Sequence, residues 1–428
     1  MYVEKLINYE KIKTFSRNEF EERFNIYKKF LNYLGNPQDK LKTVIITGSS
    51  GKGTTAYVLS AVLKNSGYSV GTYTSPHLTD ERERISVDFK LIPLNKLKIL
   101  RKNILKKYKK FKLIEDIKIN LSYFELMTIT AFFYFIEKKV NYAVMEVGLG
   151  GRFDAVNVGT PEISVITSIC KDHTRFLGNT LKSILSEKAY IIRPHKPVIT
   201  GITQKKLLLH LKNYAEHIKS HLFISGEDFK IKFVSISDNS LVFRYNDYLF
   251  KSPLYSIDSL NSIGLAFFTA EKILNGVETN ILTKTIENIN LKGRFQLIKK
   301  EEKRVIIDAG HNLCAAASFV KTVKKLHLSD GLLIFTIMQD KEADSILKKM
   351  SQLTGRIVLF RLNMEREYDL NLLIQISSRY FKEVKVIKSL KQLLKYIKQE
   401  NISYIFGSFY LAGKILEKID LKNLTLKK

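Results

Sequence analysis

Residues 46–55 read ITGSSGKGTT, three glycines, a lysine and a run of hydroxyls set between an apolar segment and an amphipathic one. Glycines let backbone N–H groups close around phosphate oxygens, a helix N-terminus adds partial positive charge, and the Lys52 ammonium adds a full one. Gly48, Ser50, Gly51, Lys52, Gly53, Thr54 and Thr55 are therefore candidate contacts to the phosphates of ATP, with the hydroxyl of Thr54 or Thr55 offered to Mg2+. The spacing departs from the standard G-x-x-x-x-G-K-[ST] loop, because the first glycine is closer and Gly53 separates Lys52 from Thr54. A tight strand-to-helix turn with no ligand is the competing reading.

Three more residues carry charge or basicity in suggestive places. Glu146, in VMEVGLGGRFDAVN, closes an apolar strand ahead of a glycine-rich turn, the edge at which open α/β sheets bind ligands. A carboxylate there suits Mg2+ on ATP phosphates, or else a salt bridge or a helix cap. His173, in ITSICKDHTRFLG, falls at the same edge after the next strand and, taken alone, reads as a hydrogen-bonded loop residue. Lys188, in TLKSILSEKAYIIR, lies on the apolar stripe of Leu181, Ile184, Leu185, Ala189 and Ile192. An inward lysine must be paired or chemically changed, unless it snorkels to the surface.

The elements that must position these groups alternate short buried-type strands with amphipathic helices, the pattern of a parallel α/β fold. Strands are predicted at Val44–Thr47, Ser69–Tyr73, Tyr142–Val147 and Ile163–Ile169, with a helix from Thr54 to about Asn65 that Gly67 stops. FKIKFVSIS and SLVFRYNDYLF, separated by Asp238-Asn239, read as a β-hairpin. Near Lys292-Gly293 a second alternation begins, with strands predicted at Val305–Ile307, Leu332–Ile337, Arg356–Phe360, Val384–Ile387 and Tyr404–Phe406. The division into domains falls there: residues 1–292 and 293–428.

A chain of 428 residues fits two domains, and 45% hydrophobic with 26% charged residues is ordinary globular composition. The formal charge of +28 raises the question of nucleic acid. The lysines are dispersed and no aromatic-interleaved basic motif occurs, so runs such as KKYKKFK at 106–112 read as solvated helix faces or as attraction for an anionic substrate. No nucleic-acid partner is expected. The best apolar run, residues 126–136, falls short of the roughly 18 residues of a membrane span, so no membrane partner is expected either. The opening MYVEKLINYEKIK lacks a signal-peptide pattern. Cys170 and Cys314 are the two cysteines, too few for a disulfide framework or a metal-binding cluster, and a reducing cytoplasm fits.

The segment LGNPQDKLKTVIITGSSGKGT resembles the LGNP…GTNGKGS opening of the folylpolyglutamate synthase/dihydrofolate synthase family, within the Mur ligase superfamily. VMEVGLGGRFDAVN is similar to that family's EVGLGGRxDATN, ITSICKDHTRFLG to its ITSIGxDHxxxLG, and SEKAYI to its EKAGI. TSPHLTDERERI at 74–85, Asn261 in DSLNSIGLAFF, GRFQ at 293–296, VIIDAGHNLCAAAS, MQDKEAD and FGSFYLAG continue the match in family order.

The resemblance implies an α/β fold: an N-terminal P-loop ATPase-like parallel-sheet domain with a β-hairpin-containing insertion, then a smaller Rossmann-like domain. It implies an ATP-dependent ligase joining L-glutamate to a folate, or to dihydropteroate, through an acyl phosphate. Glu146 and His173 would hold two Mg2+ ions together with Thr54, and Lys188 would be carbamylated by CO2. Ser75, Pro76, His77 and Arg84 would lie at the folate, and Asn261 at adenine. Arg294 would reach the γ-phosphate, and Asp308 and His311 would face the nucleotide from the second domain. Lys341 and Ser408 would hold the incoming glutamate. A cytoplasmic monomer is expected. Cys170 replaces a family glycine and reads as a small buried residue. The rival readings are another Mur-type amino-acid ligase and, from a different class, a P-loop switch or nucleic-acid-binding protein.

Overall fold

The computed structural model describes residues 17–237, 240–254, 256–420 and 425–426. The opening MYVEKLINYEKIK and the turn read at Asp238-Asn239 lie outside these residues.

The first sheet has eight strands: β1 (Thr43–Thr47), β2 (Val70–Tyr73), β3 (Ile85–Val87), β4 (Lys90–Leu91), β5 (Tyr142–Glu146), β6 (Ile163–Ile166), β7 (Val198–Thr200) and β8 (Leu222–Ile224). Their order is β4-β3-β2-β5-β1-β6-β7-β8, and only β3 runs against the others, antiparallel to both its neighbours. Strands β1, β2 and β6 are buried throughout because helices cover both faces, which is why they read as continuous apolar runs. Alternate residues serve opposite cores. Ile45, Met145 and Ile166 face one side with Met127 and Phe132; Val44, Ile46, Val144 and Val165 face the other with Val58, Leu59 and Phe267.

β1 lies between β5 and β6, so the strand order reverses around it, and a crevice opens at the C-terminal edge. The register pairs Ile46 with Glu146 and Thr47 with Ile166. The glycine loop, the Glu146 carboxylate and the segment leading to His173 consequently emerge side by side. β6 ends at Ile166 and not at Ile169, because Thr167 turns away and its hydroxyl donates to the Ser50 carbonyl at 2.6 Å.

The expected hairpin is a three-stranded antiparallel sheet of β9 (Ile231–Ser237), β10 (Ser240–Tyr245) and β11 (Tyr248–Ser252). SLVFRYNDYLF folds back on itself at Asn246-Asp247, where Asn246 takes φ 49° and Tyr245 pairs with Tyr248. Asparagine tolerates the left-handed region that a two-residue turn demands. Phe250 and Tyr245 of this sheet pack edge-on against Phe267 of the helix Ser259–Leu274.

The second α/β layer is built on β12 (Gln296–Lys300), β13 (Lys303–Ile307), β14 (Leu332–Phe335), β15 (Arg356–Phe360), β16 (Glu383–Ile387) and β17 (Ile402–Phe406). The order is β12-β13-β17-β14-β15-β16, with only β12 antiparallel to its neighbour. The C-terminal ends of β13, β14 and β17 lead into the loops carrying His311, Lys341 and Ser408, and those loops face the crevice of the first sheet.

The cysteine reading is corrected here. Cys170, after β6, and Cys314, at the start of the helix Leu313–Lys325, form a disulfide with their Cα atoms 6.5 Å apart. A count of two cysteines separated by 144 residues carries no sign of this pairing. The facing of the two sheet edges creates it.

Candidate active site

The cleft between the two sheets encloses about 950 Å³ and is lined by the glycine loop, Glu146, His173, Asn261, Arg294, Asp308, His311, Lys341 and Ser408, among others. The glycine loop is tightly held. Gly48 has φ 147°, and a Cβ there would stand 1.9 Å from the Thr167 hydroxyl, so only glycine allows this approach. Gly51, in the left-handed region at φ 85°, starts the helix Lys52–Asn65 and aims its first N–H groups into the cleft. The Lys52 ammonium donates to the Gly48 carbonyl at 3.0 Å. Thr54 lines the cleft, whereas Thr55 is fully buried behind it and its hydroxyl finds no partner.

Glu146 is 3% exposed, and its Oε2 accepts from the Ser75 backbone N–H at 3.0 Å. Burial pushes its pKa up, while the charges of Lys52 and Arg294 pull the other way. A Cβ on Gly53 would lie 3.4 Å from Glu146 Oε2 and 3.6 Å from the Arg294 guanidinium, so the three groups share one small space. A buried carboxylate beside a threonine hydroxyl is a hard oxygen set that suits Mg2+. Among the described residues, no three His, Cys, Asp or Glu side chains converge on one point, so any ion here takes its remaining oxygens from phosphate or water. His173 fits a metal less directly. Burial and the Lys341 ammonium keep its imidazole neutral, the ligating form, yet Lys341 Nζ stands 3.3 Å from its Nε2 and must withdraw first.

Lys188 is 4% exposed on the helix Leu181–Ala189 and does not snorkel. Its ammonium donates to the Gly48 carbonyl at 3.0 Å, the same acceptor that Lys52 uses. Burial and then the Lys52 charge lower its pKa to about 7. The helix is anchored by a reciprocal cap between Thr180 and Ser183.

Arg294 stacks over the Phe409 ring at 4.6 Å, which presents its planar face to the second half and its fork to Glu146. Asp308 accepts from the Phe295 and Gly310 backbone N–H groups at 2.9 and 2.6 Å, fixing the segment that carries Arg294. The Nδ1 of His311 lies 3.1 Å from the Ala309 carbonyl, and burial lowers its pKa to about 4. Asn261 donates to the Thr167 carbonyl at 3.0 Å from the far wall. The Ser408 hydroxyl caps the helix Phe409–Lys418.

Arg84 is not brought to the cleft wall. It is 1% exposed, donates to His77 Nδ1 at 2.9 Å and lies over the Tyr123 ring, and His77 is not among the residues lining the cleft either. Ser75 and Pro76 do line the cleft. Arg152 stacks on Tyr190, and Asn157 bridges backbone carbonyls and Arg193, both structural placements.

Two features escaped the sequence reading. Asp172 pairs with Lys341 at 2.8 Å and accepts from Asn312 at 3.2 Å, joining the halves. Burial alone would raise its pKa; with His173 neutral, the Lys341 ammonium is the cation holding it well below the usual carboxylate range. Its place before His173 in KDH was the available signal. The second feature is an aromatic end of the cleft, lined by Phe20, Phe24, Phe124, Phe153 and Phe176 around the buried Asp154, whose pKa burial raises to about 6. Phe20 and Phe24 share one face of the helix Arg17–Tyr33, but the other three phenylalanines come from separate segments, so no local pattern marks the cluster.

Residues 46–256 match the family model described as Mur ligase middle domain, and residues 293–408 match Mur ligase, glutamate ligase domain. A dihydrofolate synthase/folylpolyglutamate synthase of Buchnera aphidicola is 30% identical over 397 residues, covering 90% of each chain. The crystal structure of a Thermotoga maritima folylpolyglutamate synthase superposes with a TM-score of 0.81 at 30% identity, covering 94% of both chains. Escherichia coli FolC in complex with DHPP and ADP superposes at 0.82 with 26% identity, covering 99% of this chain and 97% of that one.

Proposed function

Because the chain belongs to the dihydrofolate synthase/folylpolyglutamate synthase family of Mur-type ligases, we propose that its cleft activates a folate carboxylate with ATP on one wall and couples it to L-glutamate held by the other. It is an ATP-dependent, amide-forming ligase. The observation that carries the division of labour is the meeting of Lys52 and Glu146 from the first half with Arg294, Lys341, His311 and Ser408 from the second, all within one cleft.

A carboxylate is a poor acylating agent because its leaving group would be oxide. Transfer of the γ-phosphoryl gives an acyl phosphate, which the glutamate amine attacks, and phosphate departs from the tetrahedral intermediate. The loop N–H groups and Lys52 bind the phosphates, and Arg294 meets the charge of the transferring group. Glu146 and Thr54 would hold one Mg2+ ion and His173 a second, and these ions would supply neutralising charge to the phosphates. The aromatic end, with a carboxyl at Asp154, fits a flat heterocycle bearing N–H donors, such as a pterin. Lys341 and Ser408 receive the carboxylates of glutamate.

Lys188 is the site of carbamylation: its neutral amine adds to CO2, a proton leaves, and a carbamate anion faces the phosphate loop. Deep burial and a pKa of about 7 support this reading, since the reacting amine must be neutral. The domains divide at residues 292 and 293, and the chain acts as a cytoplasmic monomer. Among the described residues, no helix is long and apolar enough to cross a membrane.

The test is an assay of the purified chain with ATP, glutamate and a panel of dihydropteroate and reduced folates, read by product mass. Products heavier than the acceptor by one glutamyl residue are expected, with stoichiometric phosphate. Phosphate release that ignores both glutamate and acceptor would overturn the reading.

A further inference from the structure

The Cys170–Cys314 pair joins the two halves across the cleft at the point where the phosphate loop meets the second domain. The Ser49 hydroxyl accepts from the Cys170 N–H and donates to the Cys170 carbonyl, each at 3.0 Å, so the first cysteine is tied to the loop itself. The second follows Asn312 by two residues, and the Asn312 amide reaches Ser50 and Asp172. The bonds across this junction from Lys341 to Asp172 and from Asn312 to Asp172 and Ser50 are non-covalent and break whenever the halves separate. The disulfide does not. It holds the two backbones near their 6.5 Å separation, within the narrow range any disulfide tolerates. Both sulfurs belong to residues lining the cleft, and the chain has no third cysteine to compete for either.

We propose that Cys170 and Cys314 form a thiol–disulfide exchange site whose oxidation latches the cleft and slows turnover, its reactants being low-molecular-weight disulfides and dithiols. The effect on turnover rests on the ligase reading above, because ligation needs the halves to part for substrates to enter and products to leave. In the oxidising direction one protein thiolate attacks an external disulfide, forming a mixed disulfide and releasing one thiol. The second protein thiolate then attacks the protein-bound sulfur, closing the Cys170–Cys314 bond and releasing the second thiol. Two protein thiols and one external disulfide thus become one protein disulfide and two external thiols, and a dithiol reverses the reaction. In a reducing compartment such a bond is transient, which is the behaviour of a sensor and not of a structural staple.

The full chain is equilibrated with glutathione disulfide or with dithiothreitol, thiols are counted, and two quantities are read. The first is glutamate-dependent phosphate release; the second is hydrogen exchange at residues 48–55 and 311–315. Oxidation should consume both thiols, lower turnover on the order of tenfold and slow exchange in both segments, with full recovery on reduction. Cys314→Ser, and separately Cys170→Ala, should keep the reduced enzyme's turnover and lose its response to glutathione disulfide. Unchanged turnover and unchanged exchange after complete loss of thiols would overturn the latch, as would loss of activity on reduction. A reduced chain without ligase activity, but with oxidation-dependent protection of both segments, would overturn the function reading and leave the latch standing.

Discussion

Arg294 and Lys188 are the residues whose surroundings say most about their chemistry. Arg294 is held by the Phe409 ring and by the segment that Asp308 fixes, so its fork is positioned before any ligand arrives. Its contact should strengthen as charge develops on the transferring phosphoryl group. Arg294→Ala is expected to lower kcat on the order of 10²-fold while ATP KM changes little, measured by steady-state kinetics. Equal effects on both constants would mark a ground-state contact instead. Lys188 makes a pH prediction. Its folded pKa is depressed to about 7, far below the ordinary lysine value of 10.5, by burial and then by Lys52. Between those values the unfolded chain holds a proton that the folded chain has released, so this residue's contribution to stability rises with pH across that window. The neutral fraction available to CO2 rises through the same region. At equal dissolved CO2, activity of CO2-depleted enzyme should therefore recover faster at pH 8 than at pH 6, and mass spectrometry under mild conditions should find the added carboxyl on Lys188. Full activity of Lys188→Ala would end that assignment.

The short helix Leu181–Ala189 exists to deliver Lys188, and one turn of capping decides how firmly it does so. Thr180 accepts from the Ser183 N–H, and the Ser183 hydroxyl answers at the Thr180 N–H. Thr180→Ala is expected to cost about 1 kcal/mol in denaturant unfolding. It should also speed hydrogen exchange in the first turn while leaving the strands protected. The glycine loop poses the opposite case, where the element is rigid because backbone and side chains from three strand ends lock together. That is why the hydroxyl of Thr167, just past β6, meets the Ser50 carbonyl and leaves β6 shorter than its apolar run suggests.

At the scale of the whole molecule, the proposed division of substrates between the two halves can be tested by which KM each half moves. Asn261, on the wall of the first half, should affect ATP; Lys341, from the second, should affect glutamate. Lys341→Met is expected to raise glutamate KM on the order of tenfold with ATP KM unchanged, whereas Asn261→Ala should do the reverse. A common rise in both constants for either variant would mean that the substitution disturbs closure and not recognition. The Lys341–Asp172 pair gives that alternative physical content, since the same ammonium that would receive glutamate now bridges the halves. Glutamate must therefore displace Asp172 from Lys341, and Asp172→Asn should lower glutamate KM if this competition is real.

What the amino-acid sequence by itself determined is whatever is encoded in contiguous runs. The order ITGSSGKGTT between a strand and a helix specifies a tight glycine loop with a lysine at the helix start, because glycine permits its turns. The positions of Glu146, at the end of β5, and of His173, in the segment that follows β6, were legible at the sheet edge for a similar reason, since each adjoins a recognisable strand. The stripe on which Lys188 lies said that it turns inward, and only packing ruled out an escape to the surface, at 4% exposure. The tertiary structure alone decided the rest. Arg84 and His77 match a motif near the substrate yet stand off the cleft wall, since sequence spacing gives no depth. Asp172 meets Lys341 across 169 residues, and Cys170 meets Cys314 across 144. Neither pairing has a local cause. Both arise because two parallel sheets, each with its reactive loops at the C-terminal edge, face one another, and the distance between those edges is set by the packing of the whole chain.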